Sequence, residues 1–266
     1  MNVQSLKLVC FSPTGSTRSV VQAIADGVGQ YTTELTDITR PDVRKPRMQT
    51  SRDELLIIAV PVYMGRVPAL LGEWLHALEA DSTPAVCVVV YGNRDYEDAL
   101  RELKDIVSER GAVPIACAAF IGEHSFSSSD TPIAVARPDA ADLSRARAFG
   151  RLVGETLRST SSLTDLGDVA APGNYPYRDL PALFSMDFID VGDACMQCGV
   201  CAESCPVGAI DRGDSSVRDK ERCILCCACI KRCPEGARTM KAGVLKDIAV
   251  RLSRTCRDRK EPAFFL

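Results

Sequence analysis

The chain opens with a strand, a polar loop and a helix in close succession: residues 6–28 read LKLVCFSPTGSTRSVVQAIADGV. Residues 6–11 form an apolar run of strand length, and from residue 18 onward apolar side chains recur at helical spacing. Between them, residues 12–17 offer four hydroxyl groups, a glycine and the backbone amides of a helix N-terminus. This chemistry suits one phosphate group, although an ordinary serine/threonine helix cap explains the same residues.

Strand and helix signals continue to alternate as far as residue 159. Further strands are predicted at residues 32–38, 55–60, 85–91 and 113–120, and helices at 69–80, 96–110 and 138–158. The run 55–60 is apolar throughout, as in a strand that is buried on both faces. Five strands separated by helices predict an α/β fold with a doubly wound, five-stranded parallel sheet. Ligands of such sheets bind beyond the carboxyl ends of the strands.

The composition is that of a soluble globular protein. With 46% apolar and 25% charged residues in 266, the chain is one large domain or two unequal ones and is not disordered in bulk. A net charge of −3 gives no general attraction to nucleic acid or anionic membranes. The run 112–121 is too short for a membrane span, which needs roughly 20 residues, and the N-terminus resembles a strand rather than a signal peptide. A cytoplasmic location is therefore expected.

Most of the thirteen cysteines form a duplicated motif near the C-terminus. The first copy is Cys195-x2-Cys198-x2-Cys201-x3-Cys205-Pro206, and the second, 28 residues later, is Cys223-x2-Cys226-x2-Cys229-x3-Cys233-Pro234. This is the spacing of bacterial two-cluster ferredoxins, in which the fourth cysteine of each run ligates the other cluster. We therefore assign two [4Fe-4S] clusters. One is held by Cys195, Cys198, Cys201 and Cys233, and the other by Cys223, Cys226, Cys229 and Cys205.

Zinc and disulfides are the competing explanations of these cysteines. Zinc sites also use Cys-x2-Cys pairs, but two duplicated runs that each end in Cys-Pro favour iron–sulfur clusters. A disulfide framework needs an oxidising compartment, for which the sequence gives no support. Cys227 aligns with Gly199 between two ligands and is interpreted as an unligated thiol, whereas Cys256 has no partner pattern.

Together with the cysteine motifs, four loops resemble a known family. They are Ser12-x-Thr14-Gly15-x-Thr17, residues 61–68 (PVYMGRVP), residues 91–94 (YGNR) and residues 122–125 (GEHS). Over nearly the whole chain the sequence resembles the flavodoxin–ferredoxin fusions often labelled "ferrodoxins". The resemblance implies a flavodoxin-like domain (1–159) with FMN at the tips of strands one, three and four, a linker (160–188), a smaller α+β two-cluster ferredoxin domain (189–242) and a basic C-terminal helix or tail (243–266).

The resemblance also implies which residues bind FMN. Tyr63 would stack on the flavin ring, Gly65 would let the backbone approach it, and the loop after strand four would face its polar edge. The complete predicted cofactor-binding set is Ser12, Thr14, Gly15, Ser16, Thr17, Tyr63, Met64, Gly65, Gly92, Asn93, Arg94 and His124.

Two members of this set carry charge or protons. Arg94 beside the ring is expected to stabilise the negative charge of reduced flavin, by about 4 kcal/mol at ~4 Å in a medium of dielectric near 20, before solvent weakens the interaction. The alternative is that Arg94 pairs with a carboxylate at 95, 97 or 98. His124 is either a proton donor or a simple hydrogen-bonding loop residue.

The linker and the tail each carry a further signal. Residues 159–188 show no sustained period, yet Tyr175, Tyr177, Leu183 and Phe184 predict that this segment is pinned to a domain. The region 238–261 is basic, and the apolar residues of 244–252 recur at helical spacing. Docking of this helix on an acidic redox partner and docking on the flavodoxin-like domain are both open.

Electron transfer between the two clusters and FMN, linking a redox-protein donor to an acceptor, is the favoured function. The alternative is a flavin-dependent reductase of a small organic substrate, fed by the clusters. A third interpretation is an iron–sulfur scaffold or sensor without flavin. No catalytic residue is assigned, no nucleic-acid partner or membrane span is expected, and homodimerisation is left open. An anaerobic setting fits the cluster content.

Overall fold

The computed structural model describes residues 1–44, 47–180 and 186–266. Its N-terminal part contains β1 (Ser5–Cys10), α1 (Ser16–Val28), β2 (Thr32–Asp37), β3 (Gln49–Thr50), β4 (Glu54–Pro61), α2 (Gly72–His76), β5 (Glu79–Ala80), β6 (Thr83–Tyr91), α3 (Ala99–Glu109), β7 (Ala112–Ile121) and α4 (Ala140–Ser159). The later part contains β8 (Ile189–Val191), α5 (Val200–Glu203), α6 (Ala228–Lys231), β9 (Arg238–Met240), α7 (Val244–Thr255) and β10 (Ala263–Phe265).

Six strands form the main sheet, in the order β10-β7-β6-β4-β1-β2. β1, β2, β4, β6 and β7 run parallel. Their order places the first strand between the second and the third, as in flavodoxin-like doubly wound sheets. The predicted five-stranded parallel sheet is thus confirmed. β10 adds an antiparallel edge strand that the sequence analysis did not predict.

Helices cover both faces of this sheet. α1 and α4 pack on one face, whereas α2 and α3 pack on the other. A Cβ atom on Gly150 would lie only 2.1 Å from the carbonyl oxygen of Ile24, so glycine allows α1 and α4 to cross at close range. The predicted helix 69–80 ends earlier, at His76, because Glu79 and Ala80 form β5 against β3.

The described part of the linker lies along α3. Asp98, just before α3, accepts hydrogen bonds from the backbone amides of Asn174 and Arg178, both at 2.8 Å. The Tyr177 hydroxyl donates to Asp105 at 2.7 Å, and the guanidinium of Arg101 lies 5.5 Å from the ring centroid of Tyr175. Residues 160–180 are therefore fixed to the N-terminal domain. The predicted contributions of Leu183 and Phe184 lie outside the described residues.

The C-terminal tail returns to the main sheet. Asn93 Nδ2 donates to the carbonyl oxygens of Cys256 and Asp258, both at 2.9 Å, just after α7 ends. Arg137 then donates to the Lys260 carbonyl at 2.8 Å, and β10 pairs with β7. The amide of Asn93, predicted to face a flavin, is therefore used to hold the tail.

The C-terminal part that carries the two cysteine motifs, predicted at residues 189–242 and called the cluster-binding part below, is small. β8 and β9 form a two-stranded antiparallel sheet, and α5 and α6 are single turns that follow the Cys-x2-Cys segments. Its apolar core contains Phe188, Ile189, Ile210 and Leu245, together with buried cysteines. Since so few apolar side chains are buried, bound clusters would contribute much of the stability of this part.

A buried ion pair near the tail gives a stability test. The side chain of Asp142 is fully buried and pairs with Arg137, whose side chain is 5% exposed. Asp142→Ala leaves the Arg137 charge buried without its main partner, so unfolding free energy should fall by about 3–5 kcal/mol. Asp26→Ala, which breaks the exposed pair with Arg147, should change it by less than about 1 kcal/mol. Urea unfolding of the anaerobic holoproteins measures both, and similar losses would contradict the assignment.

Candidate cofactor sites

A cavity of about 440 Å³ opens at the carboxyl ends of β1, β4, β6 and β7. The doubly wound strand order places ligands at this edge, and the volume is typical of a small-molecule site. Most of the residues predicted to bind a cofactor line it: Thr14, Ser16, Thr17, Tyr63, Met64, Gly65, Gly92, Arg94 and His124.

The loop before α1 forms one end of the cavity. Gly15 has φ +100°, a left-handed conformation, and its amide donates to the Ser12 carbonyl at 3.2 Å. The Ser12 hydroxyl accepts from the Arg18 amide at 3.0 Å, so it fixes the first turn of α1, and Ser12 is not among the residues that line the cavity. The other hydroxyl-bearing residues of the loop lie on the cavity wall, beside the amides of a helix N-terminus.

A tight hairpin from Tyr63 to Arg66 forms a second wall. These two residues exchange backbone hydrogen bonds of 3.0 and 3.1 Å, while Met64 and Gly65 between them have φ +54° and +79°. Two central residues with positive φ are characteristic of a type I′ turn. Glycine is favoured at position 65 because its φ of +79° is one that side chains rarely adopt, and a Cβ atom there would also meet Glu97 Oε2 at 1.8 Å.

Tyr63 lies where the cavity meets the cluster-binding part. Its ring packs edge-on against Phe11, with centroids 6.5 Å apart. Burial raises the pKa of its hydroxyl well above the ordinary value, and the thiols of Cys226 and Cys227 raise it further. Tyr63 is therefore neutral and lies next to the second cysteine motif.

Arg94 does not face the cavity as an unpaired cation. Its Nη1 lies 2.8 Å from Glu97 Oε1, and Arg178 from the linker lies 2.6 Å from the same oxygen. The pairing with a nearby carboxylate, left open by the sequence, is the one the structure has. Glu97 Oε2 is buried and has no hydrogen-bond partner among the described residues. Glu97 was missed as a site residue because no motif marks it.

His124 is a partly buried neutral base beside the cavity. Its ring packs so closely on Gly92 that a Cβ atom there would lie 2.3 Å from it, and its Nδ1 accepts from the Phe126 amide at 3.0 Å. Burial lowers the His124 pKa to about 4, and the charges of Arg94 and Lys231 lower it further. At neutral pH the ring is uncharged and carries its hydrogen on Nε2.

Three later segments complete the cavity wall. α7 contributes Ile248, Arg251 and Leu252; the linker contributes Arg178 and Asp179; the second cysteine motif contributes Ile224 and Leu225. The apolar periodicity of α7 predicted a buried face, but such a pattern does not say what that face covers.

The first predicted set of cysteines lines one cavity. Its wall includes Cys195, Cys198, Cys201 and Cys233, together with Ser215 and Arg238. Cys233 thus lies with three cysteines of the first motif rather than with the other cysteines of its own motif. Thiolate sulfur is the ligand that iron–sulfur clusters require, so this donor set fits a [4Fe-4S] cluster.

The second predicted set is also brought together. Cys205, Cys223, Cys226 and Cys229 lie close enough for their charges to interact. Burial raises the pKa of Cys229 to about 11, and the positive charge of Arg238 acts in the opposite direction. Among the described residues, no three His, Cys, Asp or Glu side chains converge as the ligands of one metal ion.

The two motifs share a backbone conformation. Gln197 and Gly199 have φ +53° and +74°, and their counterparts Leu225 and Cys227 have φ +59° and +55°. Left-handed residues between the cysteines turn the chain tightly, which lets successive thiols point to one side. Cys227 is 2% exposed and adopts a conformation that suits glycine better, with its thiol donating to the Leu225 carbonyl at 3.6 Å.

Comparison with known sequences identifies the C-terminal part. The family model of the 4Fe-4S binding domain matches residues 191–211 and 216–239. No curated protein matches the chain significantly.

Several solved structures are similar to the N-terminal part. A flavodoxin from the domain Archaea is 14% identical, with 58% of this chain and 99% of that one covered and a TM-score of 0.41. The flavodoxin of Streptococcus pneumoniae TIGR4 is 16% identical, with 57% and 99% covered and a TM-score of 0.39. The Fusobacterium nucleatum flavodoxin bound to flavin mononucleotide is 13% identical, with 57% and 98% covered and a TM-score of 0.40.

The chain therefore joins a flavodoxin-like domain, identified by its own strand order, to a C-terminal 4Fe-4S binding domain. This order of the two parts is the one that the resemblance to flavodoxin–ferredoxin fusions implies. Within residues 1–44, 47–180 and 186–266, no helix has both the length and the apolar composition needed to cross a bilayer.

His124 should make stability depend on pH. Its pKa is about 4 in the folded chain and about 6.5 in the unfolded chain, so the unfolded chain takes up the proton first as the pH falls. The stability associated with neutral His124 is complete above pH ~6.5 and is lost progressively towards pH ~4. Between pH 7 and 5.5, wild type should lose about 1 kcal/mol more than His124→Gln.

Urea unfolding of the holoproteins at the two pH values measures this difference. His76→Gln, which removes the exposed histidine, serves as the matched control. Equal losses in wild type and His124→Gln would mean that His124 is not held neutral by its surroundings.

Proposed function

We propose that this protein is an electron-transfer protein in which two [4Fe-4S] clusters exchange electrons with FMN inside one chain. The observation that carries the proposal is that residues of the second cysteine motif form part of the cavity wall. Ile224 and Leu225, between two cysteines of the second motif, line the cavity at the carboxyl edge of the sheet. Tyr63, a cavity residue, is in turn close enough to Cys226 and Cys227 for their charges to act on it.

The residues of the cavity fit FMN. The loop before α1 would hold the phosphate through hydroxyls and helix amides, and the hairpin at Tyr63 would support the ring. Glu97 Oε2, a buried acceptor without a partner, would accept a hydrogen bond from a ring N–H. FMN, when bound, supplies a centre that takes two electrons and releases them singly, whereas each cluster carries one.

The first cluster is proposed as the point of contact with an external redox protein. Its ligand Cys198 is exposed, whereas Cys226 and Cys229 of the second set are buried. The exposed apolar side chains of Met196 and Val217 lie on the same part of the chain, 67% and 55% accessible. Electrons would therefore pass between the partner, the first cluster, the second cluster and FMN in that order or its reverse.

The reductase alternative receives less support. A proton donor at the flavin would be needed, and His124 was the histidine placed to act as one. With a pKa of about 4, His124 holds no exchangeable extra proton at neutral pH. α7 and the linker also cover the cavity with residues of the chain itself, which suits a carrier more than an open substrate site.

Cofactor analysis tests the proposal directly. Anaerobically prepared protein should contain FMN and about eight irons with acid-labile sulfide per chain, because eight thiolates are assigned as ligands. Protein with two zinc ions and no sulfide would rule out the clusters. Iron without flavin would favour the scaffold or sensor.

Thr14 tests the phosphate loop. Thr14→Ala removes a hydroxyl donor to a charged acceptor, a bond worth roughly 1.5–3 kcal/mol, so FMN affinity should fall by about tenfold or more. Thr33→Ala removes an exposed hydroxyl on β2, far from the loop, and should leave affinity unchanged. Titration of FMN into the flavin-depleted protein measures both, and equal affinities of wild type and Thr14→Ala would remove Thr14 from the site.

A pair of ligand variants tests the crossed assignment. Cys233→Ser should damage the cluster held by Cys195, and Cys205→Ser should damage the one held by Cys223. Electron paramagnetic resonance of the reduced proteins distinguishes the two clusters. If each variant instead loses the cluster of its own sequence motif, the crossing is wrong.

A further inference from the structure

Arg238 is a buried charge that has no paired carboxylate among the described residues. It is the first residue of β9 and is 2% exposed, and its Nη2 donates to the Ser215 carbonyl. Its Nε is buried and has no hydrogen-bond partner, and no carboxylate among the described residues forms a salt bridge with it. A guanidinium held in this way is costly unless something negative lies against it.

The first copy of the internal repeat has no charge at the position that corresponds to Arg238. Gly208-Ala209-Ile210 in the first copy corresponds to Gly236-Ala237-Arg238 in the second. Ile210 is 5% exposed and belongs to the apolar core, so one copy buries a hydrocarbon side chain where the other buries a cation. The spacing of the cysteine ligands does not require this difference.

Arg238 also lies where a negative group is expected. It lines the same cavity as Cys195, Cys198, Cys201 and Cys233, with Ser215 beside it. Its charge also acts on Cys229 of the second set, which is not part of that cavity wall. Four thiolates and a cluster in that cavity would supply the missing counter-charge and an acceptor for the Nε hydrogen. Donors to the sulfurs and charges nearby are among the features by which a protein sets a cluster potential.

We propose that Arg238 donates its Nε hydrogen to a sulfur of the first cluster and raises the reduction potential of that cluster. The inference rests on the proposed two-cluster function. Reduction adds one electron to the cluster from an external one-electron donor, with no bond broken and no proton moved. Because the reduced cluster carries one more negative charge, a fixed cation beside it stabilises the reduced form more than the oxidised form. Arg238 would thus contact the first cluster directly and act on the second only through its charge, which makes the duplicated clusters unequal.

Potentiometric titration of the holoproteins, monitored by electron paramagnetic resonance under anaerobic conditions, tests the inference. Arg238→Gln should lower the one-electron reduction constant of the first cluster at least tenfold, which is 59 mV or more, with a smaller change at the second. Arg238→Lys keeps the charge and should change it by less than threefold. Arg218→Gln is the matched control, because the Arg218 side chain is only 6% exposed but pairs with Asp187 at 3.0 Å and does not line the cavity.

Iron and sulfide analysis of the same samples separates the two levels of the proposal. Wild-type protein that lacks two clusters would overturn the proposed function, whatever the variants do. If both clusters are present and Arg238→Gln leaves both potentials unchanged, the role of Arg238 is wrong and the proposed function stands.

A measurement on wild type covers the case in which Arg238→Gln does not assemble its clusters. In protein labelled with ¹⁵N-arginine, pulsed electron paramagnetic resonance of the reduced first cluster should detect coupling to one arginine nitrogen. Absence of that coupling, with the cluster signal present, would overturn the contact between Arg238 and the cluster.

Discussion

The antiparallel pairing of β10 with β7 determines how the two parts of the molecule meet. It joins Ala263 to Ala119 and Phe265 to Cys117, so the end of the chain becomes an edge of the main sheet. Asn93 holds the tail just beyond α7, which leaves α7 across the cavity. On the other side, Asp98 fixes the linker. The cluster-binding part is therefore tied to the N-terminal domain on both sides, and its second cysteine motif is kept against the cavity.

Short contacts at the interface add to this double attachment. Lys231, two residues beyond Cys229, lies 2.5 Å from a carboxylate oxygen of Glu123. Arg232, one residue before Cys233, donates through Nε to the Pro13 carbonyl at 2.8 Å. Charged donors make stronger hydrogen bonds than neutral ones when partly buried. Because both contacts come from residues beside cysteines of the second motif, they fix that motif relative to the N-terminal domain.

The sequence patterns predicted the features of the fold and the site that depend on residues close together in the chain. The periodicity of residues 6–28 and the Cys-x2-Cys spacing indicated the sheet edge and the cluster ligands, since a strand, a helix turn and a ligand loop are set locally. Arg94 was expected to stabilise reduced flavin, with pairing to a nearby carboxylate as the alternative. It pairs with Glu97, which also binds Arg178 of the linker, and Arg178 reaches Glu97 only because the linker crosses α3. Asn93 binds a segment that follows it by more than 160 residues. Such contacts depend on the path of the chain, which no local spacing records.

The duplicated motif shows both kinds of feature within one domain: a backbone that follows the local cysteine spacing, and side chains that differ between the two copies. Its backbone repeats closely, with Gly208 and Gly236 at φ +59° and +60°, as the two copies share the same cysteine spacing. Its side chains do not repeat where ligation makes no demand: Cys227 replaces Gly199, and Arg238 replaces Ile210. The replacements are buried, so each acts on its surroundings with little screening by water. Two motifs with the same cysteine spacing can therefore have different electrostatic surroundings. The difference comes from residues whose identity the cysteine spacing does not determine.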